Sequence, residues 1–365
     1  MRFEPAPEYE VFPRAGMTRT QDAYAAAVRA TEETRPLLRE LDPDVVVADV
    51  LTIAPALAAE LEQRPLATLI PHVLQVAEPG FPTYSIGARL PRTPLGRGFW
   101  RALDPVVRLG LARGRDELDR ARERVGLPPA ARLHGGLSRE LVLVATFPQL
   151  EYPRRAPDPA TRWTGPLLWE QPFDEVELPA GDDPLVLIAP STSQDPDQHM
   201  LLAALEGLAE EPVRVLATTN RRPPTREPRV PANAKLVDWV SYAKTMPHCD
   251  AVVCHGGHGT VARALACGVP VVCCPAAGDM AENAARAAWA GAGVSLPKRL
   301  ASPRGVRLAV RRVLGDGSFS NRAAELAAWA ERHRGTVIAA AALEELAARS
   351  SGGGTRTHTS FRTPD

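Results

Sequence analysis

At 365 residues the chain is too long for one ordinary domain and comfortable for two, each able to bury its own core. Its 43 lysines and arginines are balanced by 43 aspartates and glutamates, so no basic field gathers nucleic acid or an anionic membrane. The opening MRFEPAPEYE lacks the basic and apolar regions of a secretion signal, and no apolar run reaches about 18 residues. The expectation is a soluble, cytoplasmic protein with a small-molecule partner, no nucleic acid and no membrane insertion; a homodimer is an allowed assembly.

The first sixteen residues offer only the weak strand Glu8–Phe12, where a doubly wound domain normally opens on a buried strand, so the first βα unit is expected to be missing. A helix then spans Gln21–Leu41, a strand Val45–Ala48, a helix Ala54–Glu62 and a strand Leu66–Ile70. The stretch Glu78–Gly98, rich in proline and glycine, reads as a mobile loop over a cleft. A helix over Phe99–Val125 and a strand over Leu141–Ala145 lead to a proline-rich, acidic stretch, Pro166–Pro184, that reads as a linker with its boundary near Pro179. Beyond it come strands Leu185–Ala189, Val213–Ala217, Ala251–Cys254 and Val269–Cys274, with helices Gln198–Ala209, Thr260–Cys267 and Met280–Ala290, and only about two helices' worth of ordered chain is expected behind the unit that ends at Pro275. Alternation of this kind means parallel α/β sheets, divided as 1–178 and 179–350, with an apolar-poor tail at 351–365 expected to be disordered.

The richest chemistry lies between Cys249 and Pro275, which reads strand, glycine turn, helix, strand. Gly256, Gly257 and Gly259 let the backbone turn sharply and expose its N–H groups, while the helix behind them aims its positive end at the same point. A diphosphate suits that pocket. Thr260 can cap the helix or bond a phosphate oxygen, and His255 can donate to an oxygen that gains charge as its bond breaks. The run Gly257–Ala262 also matches the G-x-G-x-x-A of nicotinamide-cofactor sites, but the next strand ends in Cys274-Pro275 instead of an acidic ribose ligand, so that reading ranks lower.

The five cysteines (249, 254, 267, 273 and 274) crowd into the same stretch, which argues for small buried reduced residues and against a disulfide framework. A zinc site drawn from Cys249, Cys254, His248, His255 and His258 lacks C-x-x-C spacing, so no metal is expected.

The run HGGHGTVARALACGVPVVCCPAAGDMAENAARAAWAGAG resembles the donor-binding signature of the UDP-glycosyltransferase-like family with the GT-B fold, especially bacterial antibiotic and macrolide glycosyltransferases. The resemblance implies two facing Rossmann-like doubly wound domains, the N-terminal one incomplete, with the donor held by the C-terminal one. It implies diphosphate contacts from His255, Gly256, Gly257, Gly259 and Thr260, and from the turn Ser191-Thr192-Ser193. It further implies a nucleobase platform at Trp239-Val240 and donor-sugar contacts at Asp279 and Met280. Four positions depart from the family pattern: Ser241-Tyr242 replaces Pro-Gln, Arg263 stands where an acidic ribose contact is usual, and Met280 replaces an amide.

In the N-terminal half, Pro43–Asp49 resembles the family strand ending in an aspartate that orients the catalytic histidine, so Asp49 is the candidate orienter; its other reading is an N-cap for the next helix. The histidine itself belongs to the family's first glycine turn, which is not found in this chain; His72 is the substitute candidate, with a structural role as its alternative. What the resemblance implies is an inverting, metal-independent transfer of a hexose or deoxyhexose from UDP or dTDP to a hydroxyl of a small hydrophobic acceptor, in natural-product or antibiotic biosynthesis, with no cofactor. The alternatives are a noncatalytic nucleotide-binding relic or auxiliary partner of a full-length transferase, and a nucleotide-sugar epimerase. Without the base, the chain as written is expected to bind diphosphate and transfer poorly.

Overall fold

The computed structural model describes residues 24–351, apart from 77, 131, 135, 192–194, 196, 223 and 277; the weak strand Glu8–Phe12 and the tail from 352 lie outside the described residues. The first half runs α1 (Ala25–Leu41), β1 (Val46–Asp49), α2 (Ile53–Leu61), β2 (Leu66–Ile70), α3 (Pro94–Arg124), β3 (Leu141–Val144) and β4 (Thr161–Trp163). The second half runs β5 (Leu185–Ala189), α4 (His199–Leu208), β6 (Arg214–Thr218), β7 (Ala234–Val237), α5 (Tyr242–Thr245), β8 (Ala251–Cys254), α6 (His258–Ala266), β9 (Val271–Cys273), α7 (Met280–Trp289), β10 (Gly293–Ser295), α8 (Pro303–Gly315), α9 (Gly317–Arg332) and α10 (Gly335–Ser351).

Two parallel sheets result, ordered β1-β2-β3-β4 and β10-β9-β8-β5-β6-β7. Near-continuous apolar strands such as Leu185–Ala189, buried throughout, demand helices on both faces. On one face of the second sheet, α4 and α8 close over Val186, Ile188, Val215 and Val253. On the other, α6, α7 and α9 close over Leu185, Leu187, Val252 and Cys254. The chain order reverses between β5 and β8, so the carboxyl ends of these two strands frame the crevice where ligands of such sheets sit.

The two halves are not separate bodies joined by a linker. Val73, Phe147 and Leu150 of the first half share one buried cluster with the second sheet. The helix α10 packs Ala339 and Leu346 against Ala67, Leu141 and Leu143 of the first sheet, so the unit drawn at 179–350 gives its last helix to the other domain. Among the described residues four α-helices, α7 to α10, follow the unit that ends at Pro275, where about two were expected.

The stretch from Glu78 is also corrected. Its second part is the start of α3, capped by Thr93, whose hydroxyl accepts from Gly96 N at 3.2 Å. Its first part is tied down: Ser85 N donates to Glu282 of α7 at 3.3 Å and Tyr152 donates to Ala88 O at 3.2 Å. Gly87 lies so close to Ala281 that an added Cβ would come within 3.1 Å of its methyl.

Candidate functional site

At the end of β8 the chain turns through His255 and Gly256, whose φ of +81° is a left-handed conformation that suits glycine. A Cβ on Gly256 would also come within 2.8 Å of the Met280 carbonyl. Helix α6 begins at His258, two residues earlier than the glycine pattern suggests, with Gly257 at its N-cap and no side chain capping its free N–H groups. Thr260 therefore sits inside the first turn, almost buried, and does not cap the helix. The unbonded N–H groups of this first turn and the helix dipole put a positive helix end at the crevice, which favours an anion.

The ring of His255 lies across Gly257 so closely that any Cβ there would overlap its Nε2. Its Nδ1 lies 3.4 Å from the carbonyl of Ala189, at the end of β5, so the ring spans the two strands that frame the switch point. Burial holds its pKa below the ordinary histidine value. A Nδ1–H donated to Ala189 leaves Nε2 with a free lone pair, and protonation of Nε2 makes it a donor to a phosphate oxygen.

Behind the loop, Asn283 of α7 donates to the Gly256 carbonyl at 3.0 Å and to the Asp279 carboxylate at 3.1 Å. One buried amide therefore fixes both the glycine loop and the acidic residue. It stands four positions after Asp279, on the same helical face, a spacing that sequence reading passes over because the amide was sought at 280. Met280 is 8% exposed, with its carbonyl against Gly256, so its side chain is largely packed away from a ligand surface.

Of the other candidates, Ser191 is buried at the end of β5, while Thr192 and Ser193 lie outside the described residues. Trp239 is partly exposed after β7, with the Arg221 guanidinium 4.8 Å over its ring and Phe173 edge-on at 6.4 Å. Val240 is in the core, so its side chain contributes packing and no ligand surface. The Ser241-Tyr242 departure has a local reason: Ser241 caps α5, and the Tyr242 hydroxyl pairs with Asn220, whose amide donates to Pro190 O at 2.7 Å and so braces the turn after β5. Glu170, from the proline-rich stretch, accepts from Tyr242 N and Ala243 N, both at 2.7 Å.

From the N-terminal half, His72 follows β2 and is 7% exposed. Its Nδ1 lies 2.9 Å from Val73 O and 3.3 Å from the Tyr84 hydroxyl. Asp49 ends the edge strand β1; its carboxylate accepts from Leu51 N at 2.8 Å, while the N-cap of α2 is Thr52, so the capping alternative for Asp49 fails. Across the domain boundary, His258 Nε2 reaches Ala145 O at 3.2 Å. Nearby, Arg286 of α7 bonds Glu282 at 2.7 Å and Glu151 at 3.2 Å, all three buried, and lies 3.6 Å from the Tyr152 ring centre. This network welds α7 to the first domain. Sequence reading missed it because its members are far apart in the chain.

The family profile described as "Erythromycin biosynthesis protein CIII-like, C-terminal domain" matches residues 199–343. Over 345 residues the chain is 33% identical to 4'-demethylrebeccamycin synthase of Lentzea aerocolonigenes, covering 88% of this chain and 80% of that protein. Among solved structures, the kitacinnamycin glycotransferase superposes with a TM-score of 0.72 at 22% identity, covering 92% of this chain and 84% of that one. The glycosyltransferase VinC, solved with dTDP, superposes with a TM-score of 0.60 at 21% identity, covering 90% and 80%. With two parallel α/β domains meeting at a glycine-loop crevice and a relative this similar over most of both lengths, the chain belongs to the UDP-glycosyltransferase-like family of GT-B glycosyltransferases.

Proposed function

We propose that the protein moves a hexose or deoxyhexose from a nucleoside diphosphate, UDP or dTDP, to a hydroxyl of a small hydrophobic acceptor, with inversion and without a metal or cofactor. The observation that carries this reading is the uncapped N-terminus of α6, with the His255 ring laid across Gly257 beside it. Preorganised donors of this kind stabilise the charge that develops on a departing diphosphate. Trp239 is the surface for the base and Asp279, fixed by Asn283, the contact for sugar hydroxyls. His72, at the boundary between the domains, is the candidate to take the acceptor proton. A neutral alcohol needs such a base, whose contribution is roughly a hundred- to ten-thousandfold.

The test is glycoside formation from UDP- and dTDP-sugars with a panel of hydrophobic alcohols and phenols. His72→Ala is expected to abolish turnover while leaving dTDP affinity within about twofold, the signature of a base. Retained turnover removes His72 from the mechanism. A preference for UDP-glucose over dTDP-deoxysugars counts against a deoxysugar donor.

A second reading is a nucleotide-binding protein that transfers poorly. It rests on Asp49, whose carboxylate is bonded within its own turn; among the described residues no histidine reaches it. Tight dTDP binding with no glycoside formed from any donor selects this reading.

A further inference from the structure

His258 opens α6 and is half-buried, with its Nδ1 shielded from solvent. Its Nε2 faces the Ala145 carbonyl, just past β3 in the other domain, at 3.2 Å. A carbonyl only accepts, so that bond requires the proton on Nε2, and the neutral ring is left with a lone pair on Nδ1. Nδ1 is buried with no hydrogen-bond partner. The Asn283 amide lies beside the ring. Both hydrogens of that amide are given to Gly256 and Asp279, and its Oδ1 is likewise buried without a partner. Two acceptors left unpaired in one buried place are costly, and a single proton on Nδ1 satisfies both.

We propose that His258 is a positioning residue that takes up a proton when a nucleoside diphosphate occupies the glycine loop, and that the charged ring then acts as a latch, bridging Ala145 O, which it already holds across the domain boundary, to Asn283 Oδ1 and so adding the link to the amide that fixes Gly256 and Asp279. The proposal rests on the reading of His255–Gly259 as the diphosphate site. The titratable groups facing the ring are His72, from the end of β2, and Asp279, from the start of α7. In the unliganded protein, burial first and His72 second push the ring down to about 4, so it is neutral near neutrality. A doubly charged anion within about 8 Å, at an effective dielectric of about 20, favours the charged ring by roughly a thousandfold, enough to bring its midpoint to about pH 7. The latch is then complete in a loaded site and loses its Asn283 bond, while keeping the one to Ala145, as the diphosphate leaves.

The test uses the full chain labelled at histidine Cε1, with the His258 resonance assigned by its loss in His258→Gln, and dTDP as the probe. The expected result is a neutral ring without nucleotide and an imidazolium with it at about pH 7. Calorimetry should show affinity of the wild type rising as pH falls from about 8 to about 6.5, measured against His258→Gln, which binds about tenfold more weakly at the lower pH and lacks the extra pH dependence. If dTDP binds and the His258 ring stays neutral, the latch is overturned while the donor-site reading stands. If dTDP does not bind at all, the donor-site reading fails and the latch fails with it. The spectrum of the wild type decides the matter even if the variant does not fold.

Discussion

His255 and Gly257 fit only as a pair, because the imidazole fills the space that any side chain at 257 would need. The backbone at 257, with φ −60° and ψ 135°, is open to any residue, so the glycine is required for the ring's sake and not for the turn. Gly257→Ala should therefore act through His255. We expect Gly257→Ala and His255→Ala to weaken dTDP binding and slow transfer to a similar extent, roughly ten- to a thousandfold, with the double variant no worse than either single one. Calorimetry and turnover of the three variants check this. Additive losses would show that the two residues act independently.

Asn283 holds the Gly256 carbonyl and the Asp279 carboxylate together. Asn283→Ala frees both, and donor affinity should fall about tenfold, the worth of one or two hydrogen bonds to a buried and a charged partner. Asn283→Asp should be worse, since it sets a second carboxylate against two acceptors, and part of its loss should return as pH falls and the new acid protonates. Nucleotide-sugar titrations at two pH values distinguish the pair.

The stacking role proposed for Trp239 predicts a different pattern. Trp239→Ala should cost nucleotide binding about 1–3 kcal/mol, with Trp239→Phe recovering most of it, because any aromatic face supports a base. Inorganic diphosphate, which has no base, should bind both variants as the wild type does. A loss that extends to diphosphate would instead mean that removing the indole, now covered by Arg221, disturbs the loop.

Among the described residues Arg286 is the one cation bonded to Glu282, and it also bonds Glu151. Burial by itself pushes the Glu282 carboxyl up, so the guanidinium is what makes the charged form tolerable there. Arg286→Met leaves two buried acids without it and should destabilise the protein by about 3–5 kcal/mol in denaturant unfolding. Restoring neutrality with Glu151→Gln in the same chain should recover part of that loss.

Glu62 accepts from Arg35 at 2.6 Å and from Arg39 at 2.8 Å, tying α1 to the end of α2, and these bonds hold its carboxyl down at about 2. A carboxyl lowered in the folded state stabilises above its unfolded pKa of about 4.3, and that stabilisation fades as pH falls towards about 2. Amide exchange in α1 should therefore quicken across that interval, and in Glu62→Gln it should already be fast at neutral pH. Equal protection of α1 in both proteins throughout would remove the tie from the account.

The sequence alone determined the parts whose physics is local. All seven apolar runs became strands, since four or more consecutive apolar residues bounded by glycine, proline or aspartate have few alternatives. The glycine loop proposed to hold the diphosphate was legible as a structure for the same reason: its strand, glycines and helix are contiguous, so the uncapped N–H groups follow from the chain itself. The short strands Thr161–Trp163, Ala234–Val237 and Gly293–Ser295 were not, being three or four residues long with partly exposed faces and held by their neighbours in the sheet. Tertiary structure decided what long-range packing alone supplies. It placed α10 on the first sheet, brought Glu151 to Arg286 across 135 positions and set His258 against Ala145 across 113. No periodicity encodes such pairs, because their partners are chosen only when two finished sheets close on each other and every buried polar atom must find what is left.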